Sequence, residues 1–203
     1  FSIISVMEHR LRYKLKKINI PEEWFFCNPF KNYSEKIISS LTYKTGVIFF
    51  FEDPLKKKEF LKNIEPLVQI CRKNRIIFII QSSFFWASKY KANGILIDFK
   101  NKIFSNMINF NLIQDTFLLA VKIHNYQEAK KFAKNIDIVF ISNVFRTKTH
   151  PKRNGLGIKK LFELCVFLKN KLNFALGGVN RANIKRLKNK NLKGFGAISC
   201  FRE

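Results

Sequence analysis

The residues whose types and spacing could do chemistry cluster between Ser142 and Gly157. Thr147 and Thr149 bring hydroxyls, Arg146, Lys148 and His150 bring nitrogen bases, and Gly155 and Gly157 bring backbone with no side chain in the way. Hydroxyls, cations and accessible backbone N–H groups are what an oxyanion needs. Two further stretches share that character: Gly177 and Gly178 after Phe174, Ala175 and Leu176, and then Gly194, Gly196 and Ser199 one helix-like segment later. Glycines at a strand end let the backbone approach an anion, and the following helix N-terminus adds a favourable dipole. Taken alone, each loop reads as a solvated turn. Two glycine-ended strands separated by one helix point instead to a phosphate cup.

Such groups need rigid supports. From Ile136 to Ile141 every residue except Asp137 is β-branched or aromatic, as suits a strand buried on both faces. From Glu22 the chain alternates strand-like and helix-like pieces, with strands expected near 23–27, 46–51, 75–81, 94–98, 116–121, 136–142, 173–176 and 194–198. Helices are expected near 33–42, 55–73, 83–90, 102–112, 126–134, 157–170 and 180–189, with Asp53, Pro54 and Asn125 as start signals. Eight strands is the number of an α/β (β/α)8 TIM barrel, whose phosphate sites lie in the loops after strands seven and eight. No helical pattern follows the eighth strand, so a missing or truncated final helix is expected. Residues 1–20 read as a basic N-terminal helical extension, packed across the barrel or lying on a membrane surface, and 21–203 as the barrel itself.

Composition narrows the partners. The 203 residues fall somewhat short of the roughly 250 typical of this barrel, and 47% hydrophobic residues are ample for its core. The apolar part of the N-terminus is too short to span a membrane, so no transmembrane segment is expected. Its charge follows the apolar residues instead of preceding them, which argues against a secretory signal. Cys27, Cys71, Cys165 and Cys200 contain no C-x-x-C pair, so reduced thiols and a cytoplasmic protein are the simplest reading. A net charge of +24 fits nucleic acid, an anionic membrane or a phosphorylated ligand. The lysines, however, are spread over nearly every helix-like segment among abundant Asn, Ile and Phe, as AT-rich coding would produce. Dedicated nucleic-acid binding is not expected, and the oligomeric state is left open.

Phe145, Thr147, Thr149 and Pro151, then Gly155, Leu156 and Gly157, then Gly177 and Gly178 with Asn183, then Gly194 and Ser199 resemble the C-terminal half of the thiamine phosphate synthase and TenI family. The resemblance is clearest over 116–200 and fainter over 45–115. It implies a barrel that holds a phosphorylated small molecule, with Gly177, Gly178 and Ser199 offering backbone N–H groups and Thr147, Thr149 and His150 lining the loop. In the synthases, which join a pyrimidine diphosphate to a thiazole phosphate, basic residues follow strand two and acidic magnesium ligands follow strands three and four. Here phenylalanines end strand two, Gln81 and Ser82 follow strand three, and Asn101 stands near the expected acid, with Asp98 the nearest carboxylate. Magnesium wants carboxylate oxygens. No metal ligand set or cofactor is therefore expected, with magnesium required only under a synthase reading.

The resemblance also places His124 at a family Ser-x-His position. In TenI proteins the matching histidine is the acid/base of a thiazole phosphate tautomerase, an aromatising proton shift that needs no metal. An unperturbed pKa of about 6.5 suits taking and giving a proton near neutrality. The same histidine reads equally as a cap on the following helix. Lys122 replaces the family serine and puts a cation at the barrel mouth, where it could pair with a ligand phosphate or carboxylate. His150 stands where the synthases have lysine, and Arg146 where they have proline. The expected function is a TenI-like enzyme acting on a thiazole phosphate-type ligand at His124. The alternatives are a thiamine phosphate synthase and a non-catalytic phosphate-ligand binding or regulatory protein.

Overall fold

Short β-branched and aromatic runs form eight strands in the computed structural model, which describes residues 19–51, 53–98, 116–132, 135–147 and 154–202. They are β1 (Glu23–Cys27), β2 (Thr45–Phe49), β3 (Phe78–Ile80), β4 (Gly94–Ile97), β5 (Leu118–Ile123), β6 (Ile138–Ile141), β7 (Leu172–Leu176) and β8 (Gly194–Ala197). Each pairs in parallel with its neighbours in sequence, and β8 returns to β1 to close the barrel. The α/β barrel expected from the sequence is the fold. Five α-helices are described: α1 (Ser34–Ser40), α2 (Lys57–Lys73), α3 (Phe84–Lys89), α4 (Tyr126–Phe132) and α5 (Gly157–Phe167).

Strand alternation divides the core into two clusters. One face of each strand packs outward against the helices, as Phe25, Val47, Phe49, Ile80, Val121 and Ile141 do. The other fills the barrel with Trp24, Phe26, Ile48, Phe50, Ile79, Leu96, Leu118, Ala120, Ile138, Phe140, Phe174 and Leu176. The filling is aromatic: Trp24 meets Phe140 and Phe174 edge to face at 6.2 and 6.1 Å, and Phe26 meets Phe140 at 5.0 Å. Such pairs add to the hydrophobic gain of burial. Glycines opposite make the room, since a Cβ at Gly46 would come within 2.4 Å of the Trp24 ring and one at Gly196 within 2.6 Å of Phe26.

Helix starts match the side chains expected to set them. The Asp53 carboxylate accepts the Leu55 N–H at 3.0 Å and begins a 3-10 turn, Pro54–Lys56, that leads into α2. Asn125 Oδ1 accepts the Glu128 N–H at 2.8 Å and caps α4.

One helix is corrected. Over the segment expected to be helical at 180–189, only a 3-10 turn, Ile184–Leu187, forms. The Asn180 and Asn183 side chains each accept the other's backbone N–H at 3.0 Å, and such local bonds compete with helix formation. After β8 comes another 3-10 turn, Ser199–Phe201, whose Phe201 ring lies 5.5 Å from Phe25 and 6.5 Å from Phe195. Residues 1–18, with most of the expected N-terminal extension, and the expected helix at 102–112 lie outside the described residues, although Ile20 joins the interior cluster. Among the described residues, no helix is long and apolar enough to cross a membrane.

Candidate functional site

The interior residues of β5 climb toward the mouth in steps of two: Leu118, Ala120, Lys122 and then His124, one residue past the strand. Lys122 is half-buried, and its ammonium lies 5.4 Å from the centre of the Phe50 ring. The cation therefore rests on the aromatic filling at the C-terminal end of the barrel, where a ring face attracts it.

His124 is held from both sides. Its backbone N–H donates to Glu128 Oε2 at 2.8 Å, and its ring Nδ1 lies 2.9 Å from the Ser142 carbonyl oxygen. A carbonyl only accepts, so Nδ1 carries the proton and the neutral ring has its basic lone pair at Nε2. Asn125, not His124, caps α4. Ser142, just past β6, is buried, donates its backbone N–H to the Ile123 carbonyl at 2.8 Å, and shares a hydrogen bond between its hydroxyl and Asn143 Oδ1.

The glycine pair after β7 packs against this same loop. Gly177 and Gly178 have φ of +91° and +68°, in the left-handed region that glycine adopts without strain. Side chains have no space there: a Cβ at Gly177 would lie 2.9 Å from the Asn143 side chain, and one at Gly178 2.4 Å from the Arg146 carbonyl oxygen. The Gly177 carbonyl accepts the Phe145 N–H at 3.0 Å, so the trans peptide directs the Gly178 N–H away from β6. Asn183 fixes the next step by donating its side-chain N–H to the Gly178 carbonyl at 2.8 Å. The loops after β6 and β7 thus form one unit beside His124.

Two more of the expected residues are described. Thr147 is half-buried in the β6–α5 loop, and Ser199 is exposed at the start of the turn after β8. Thr149 and His150 lie outside the described residues, as do Lys148 and Pro151. Glu128, Ser142 and Asn143 were missed in the sequence. Glu128 could have been found from the Asn125-x-x-Glu128 capping pattern, but a backbone carbonyl such as that of Ser142 has no signature in residue type.

On the other side of the mouth, Phe50 fills the barrel and Gln81 Oε1 accepts the Phe51 N–H at 3.3 Å. Ser82 is fully buried, its hydroxyl has no hydrogen-bond partner among the described residues, and Asp98 follows β4 half-buried. Among the described residues, the groups that follow β3 and β4 are one carboxylate, a neutral hydroxyl and an amide already engaged, whereas magnesium wants carboxylate oxygens. Among the described residues no group of three His, Cys, Asp or Glu could hold a metal. A cleft of about 270 Å³ opens away from all these residues, between Lys130 on α4 and Phe167 at the end of α5, with Lys169 and Lys171 on its rim.

The family model for thiamine monophosphate synthase matches residues 27–201. An Aquifex aeolicus protein carrying the provisional name thiamine-phosphate synthase 2 is 26% identical over 181 residues, covering 85% of this chain and 94% of its own. A thiamine-phosphate synthase of Fusobacterium nucleatum is 24% identical over 174 residues, covering 85% and 82%. In structure, thiamine phosphate pyrophosphorylase from Pyrococcus furiosus superposes with a TM-score of 0.63 over 93% of this chain and 88% of its own at 16% identity, a likeness of fold. A match running from β1 to the turn after β8, over the loops that carry the glycine cup and His124, makes this chain a member of the thiamine monophosphate synthase and TenI family.

Proposed function

We propose that the chain is a cytoplasmic, TenI-like member of its family that binds a thiazole phosphate-type ligand at the barrel mouth and shifts a proton at His124. The observation that carries this reading is the Nδ1 bond from His124 to the Ser142 carbonyl, 2.9 Å long, which makes Nε2 the basic nitrogen beside the glycine cup. In a tautomerisation Nε2 takes a proton from one ligand carbon and the imidazolium returns one to another, so composition and oxidation state stay constant. The phosphate is assigned to Gly177, Gly178 and Ser199 backbone N–H groups, with Thr147, Thr149 and His150 along the β6–α5 loop and Lys122 supplying positive charge from below. Phe50, Phe51, Gln81 and Ser82 occupy the half of the mouth where a synthase would clamp diphosphate and magnesium, and no step is routed through a metal.

A second reading is favoured by the names of the relatives, which are synthases. Under it the chain would join a pyrimidine diphosphate to a thiazole phosphate. Thermal-shift titration separates the two, because a ligand at 100 times its Kd stabilises the folded state by about 2.7 kcal/mol. Thiazole phosphate is expected to raise Tm without magnesium, and pyrimidine diphosphate is expected to leave it unchanged with or without the metal. A magnesium-dependent shift by the diphosphate would instead establish the synthase reading. His124→Gln is expected to lower tautomerase turnover by at least about a hundredfold while thiazole phosphate still raises Tm. Binding without turnover in the unsubstituted protein would leave a non-catalytic phosphate-ligand protein.

A further inference from the structure

We propose that Glu128 is the positioning residue that sets the orientation and tautomer of His124, which deepens the proposed function and rests on it for its catalytic consequence. The β5–β6 ladder ends at the pair Ile123 and Ile141. His124 is the next residue, so its N–H falls beyond the hydrogen bonds of the strand. Glu128 supplies the acceptor at 2.8 Å. Its own N–H donates to Asn125 Oδ1 at 2.8 Å, which ties the carboxylate to the helix start.

The arrangement departs from an ordinary capping box. There the acid three residues into the helix returns to the N–H of the cap residue itself. Here the carboxylate reaches one residue further back and takes the His124 N–H. A helix-start device thereby lengthens the rigid part of β5 by one residue, at the position where the imidazole must meet the Ser142 carbonyl. The residue that offers this carbonyl is itself tied to β5, because the Ser142 N–H donates to the Ile123 carbonyl at 2.8 Å. Among the described residues, Glu128 Oε2 thus accepts from the backbone of His124 and the Ser142 oxygen accepts from its ring. Loss of the first leaves the Cα free to move, and the ring bond becomes one option among several.

The roles of reach and charge can be separated by substitution. In Glu128→Gln the side-chain carbonyl still accepts the N–H at the same distance, without charge. In Glu128→Asp the charge remains in the first turn of α4, but the carboxylate is one methylene short. Glu128→Ala removes both.

The experiment is ¹⁵N NMR of the His124 ring in the full chain, at a pH where the ring is neutral, alongside tautomerase turnover and thermal melts. The Nδ1–H form is expected in the unsubstituted protein and in Glu128→Gln. A mixture of tautomers is expected in Glu128→Asp and Glu128→Ala. Turnover is expected to follow the tautomer, falling about tenfold or more in the Asp and Ala variants with thiazole phosphate affinity retained, and recovering in the Gln variant. Should Glu128→Ala fail to fold, Glu128→Asp against Glu128→Gln gives the same comparison. An unchanged Nδ1–H signature in Glu128→Asp overturns the positioning role, whatever the turnover. A displaced tautomer in a protein that lacks turnover altogether upholds the positioning role and removes the tautomerase reading instead.

Discussion

Burial pushes the thiols of Cys27, Cys71 and Cys165 up to about 12, chiefly through loss of hydration for the thiolate. An unfolded cysteine ionises near 8.5, so the folded chain holds these three protons more tightly than the unfolded one. Their contribution to stability is complete below about pH 8.5 and is lost as the pH climbs toward 12. Lys171 has the opposite sign: burial lowers its pKa, against a smaller upward pull from Asp137, so its contribution is lost as pH falls through the lowered value. Three thiols outweigh one lysine. Urea unfolding at pH 7.5, 9.5 and 10.5 is expected to give stability that falls by about 1 kcal/mol or more per pH unit above pH 9. Stability that holds flat to pH 10.5 would mean that these thiols are hydrated in the fold. The burial of Cys27 and Cys71 was not readable from their scattered positions. The glycines at 177 and 178 were readable, because a backbone at positive φ against a neighbouring loop admits almost nothing else.

Elements were legible where side-chain type alone settles the conformation. Ile136 to Ile141 had to be a strand, and β6 covers Ile138–Ile141. Asp137, the odd residue in that run, stands just ahead of β6 and links three strands. Its Oδ2 accepts the Leu119 N–H at 2.9 Å, its N–H donates to the Leu119 carbonyl at 2.9 Å, and its carbonyl accepts the Leu172 N–H at 3.0 Å. Asp137→Ala keeps both backbone bonds and strands the Leu119 N–H, a buried donor whose unmet hydrogen bond costs about 1–3 kcal/mol. Denaturant melts are expected to lose that much, and Asp137→Asn, which retains a side-chain acceptor, is expected to recover most of it. Equal losses in the two variants would point to the charge near Lys171 as the source. The segment at 180–189 was misread for a related reason: helical spacing was present, but reciprocal bonds between Asn180 and Asn183 take the backbone first. A pattern of residue types does not reveal which of two local partners a backbone N–H will choose.

At the scale of the whole molecule, eight strands in sequence order close a barrel whose interior is too aromatic to be a pore, which leaves the loops at its ends as the places open to a ligand. The charge is harder to place. Even with every one of the 14 acids paired, 24 of the 38 lysines and arginines remain uncompensated. Repulsion among them weakens the compact state and is screened by salt over a Debye length of about 30 Å at 0.01 M, shortening to about 8 Å at 0.15 M. If the charge is a property of composition, its main physical effect is this repulsion, and Tm should climb by several degrees as sodium chloride rises from 10 to 300 mM. If the charge forms a dedicated polyanion site, duplex DNA should raise Tm at 150 mM salt, where sequence-independent contacts are already weak. The expected outcome is the first without the second: a salt-dependent rise, with no further rise from DNA at 150 mM. A protein stabilised by DNA at that ionic strength would have its lysines gathered into a binding face, and the small phosphorylated ligand would no longer be the partner that best accounts for the charge.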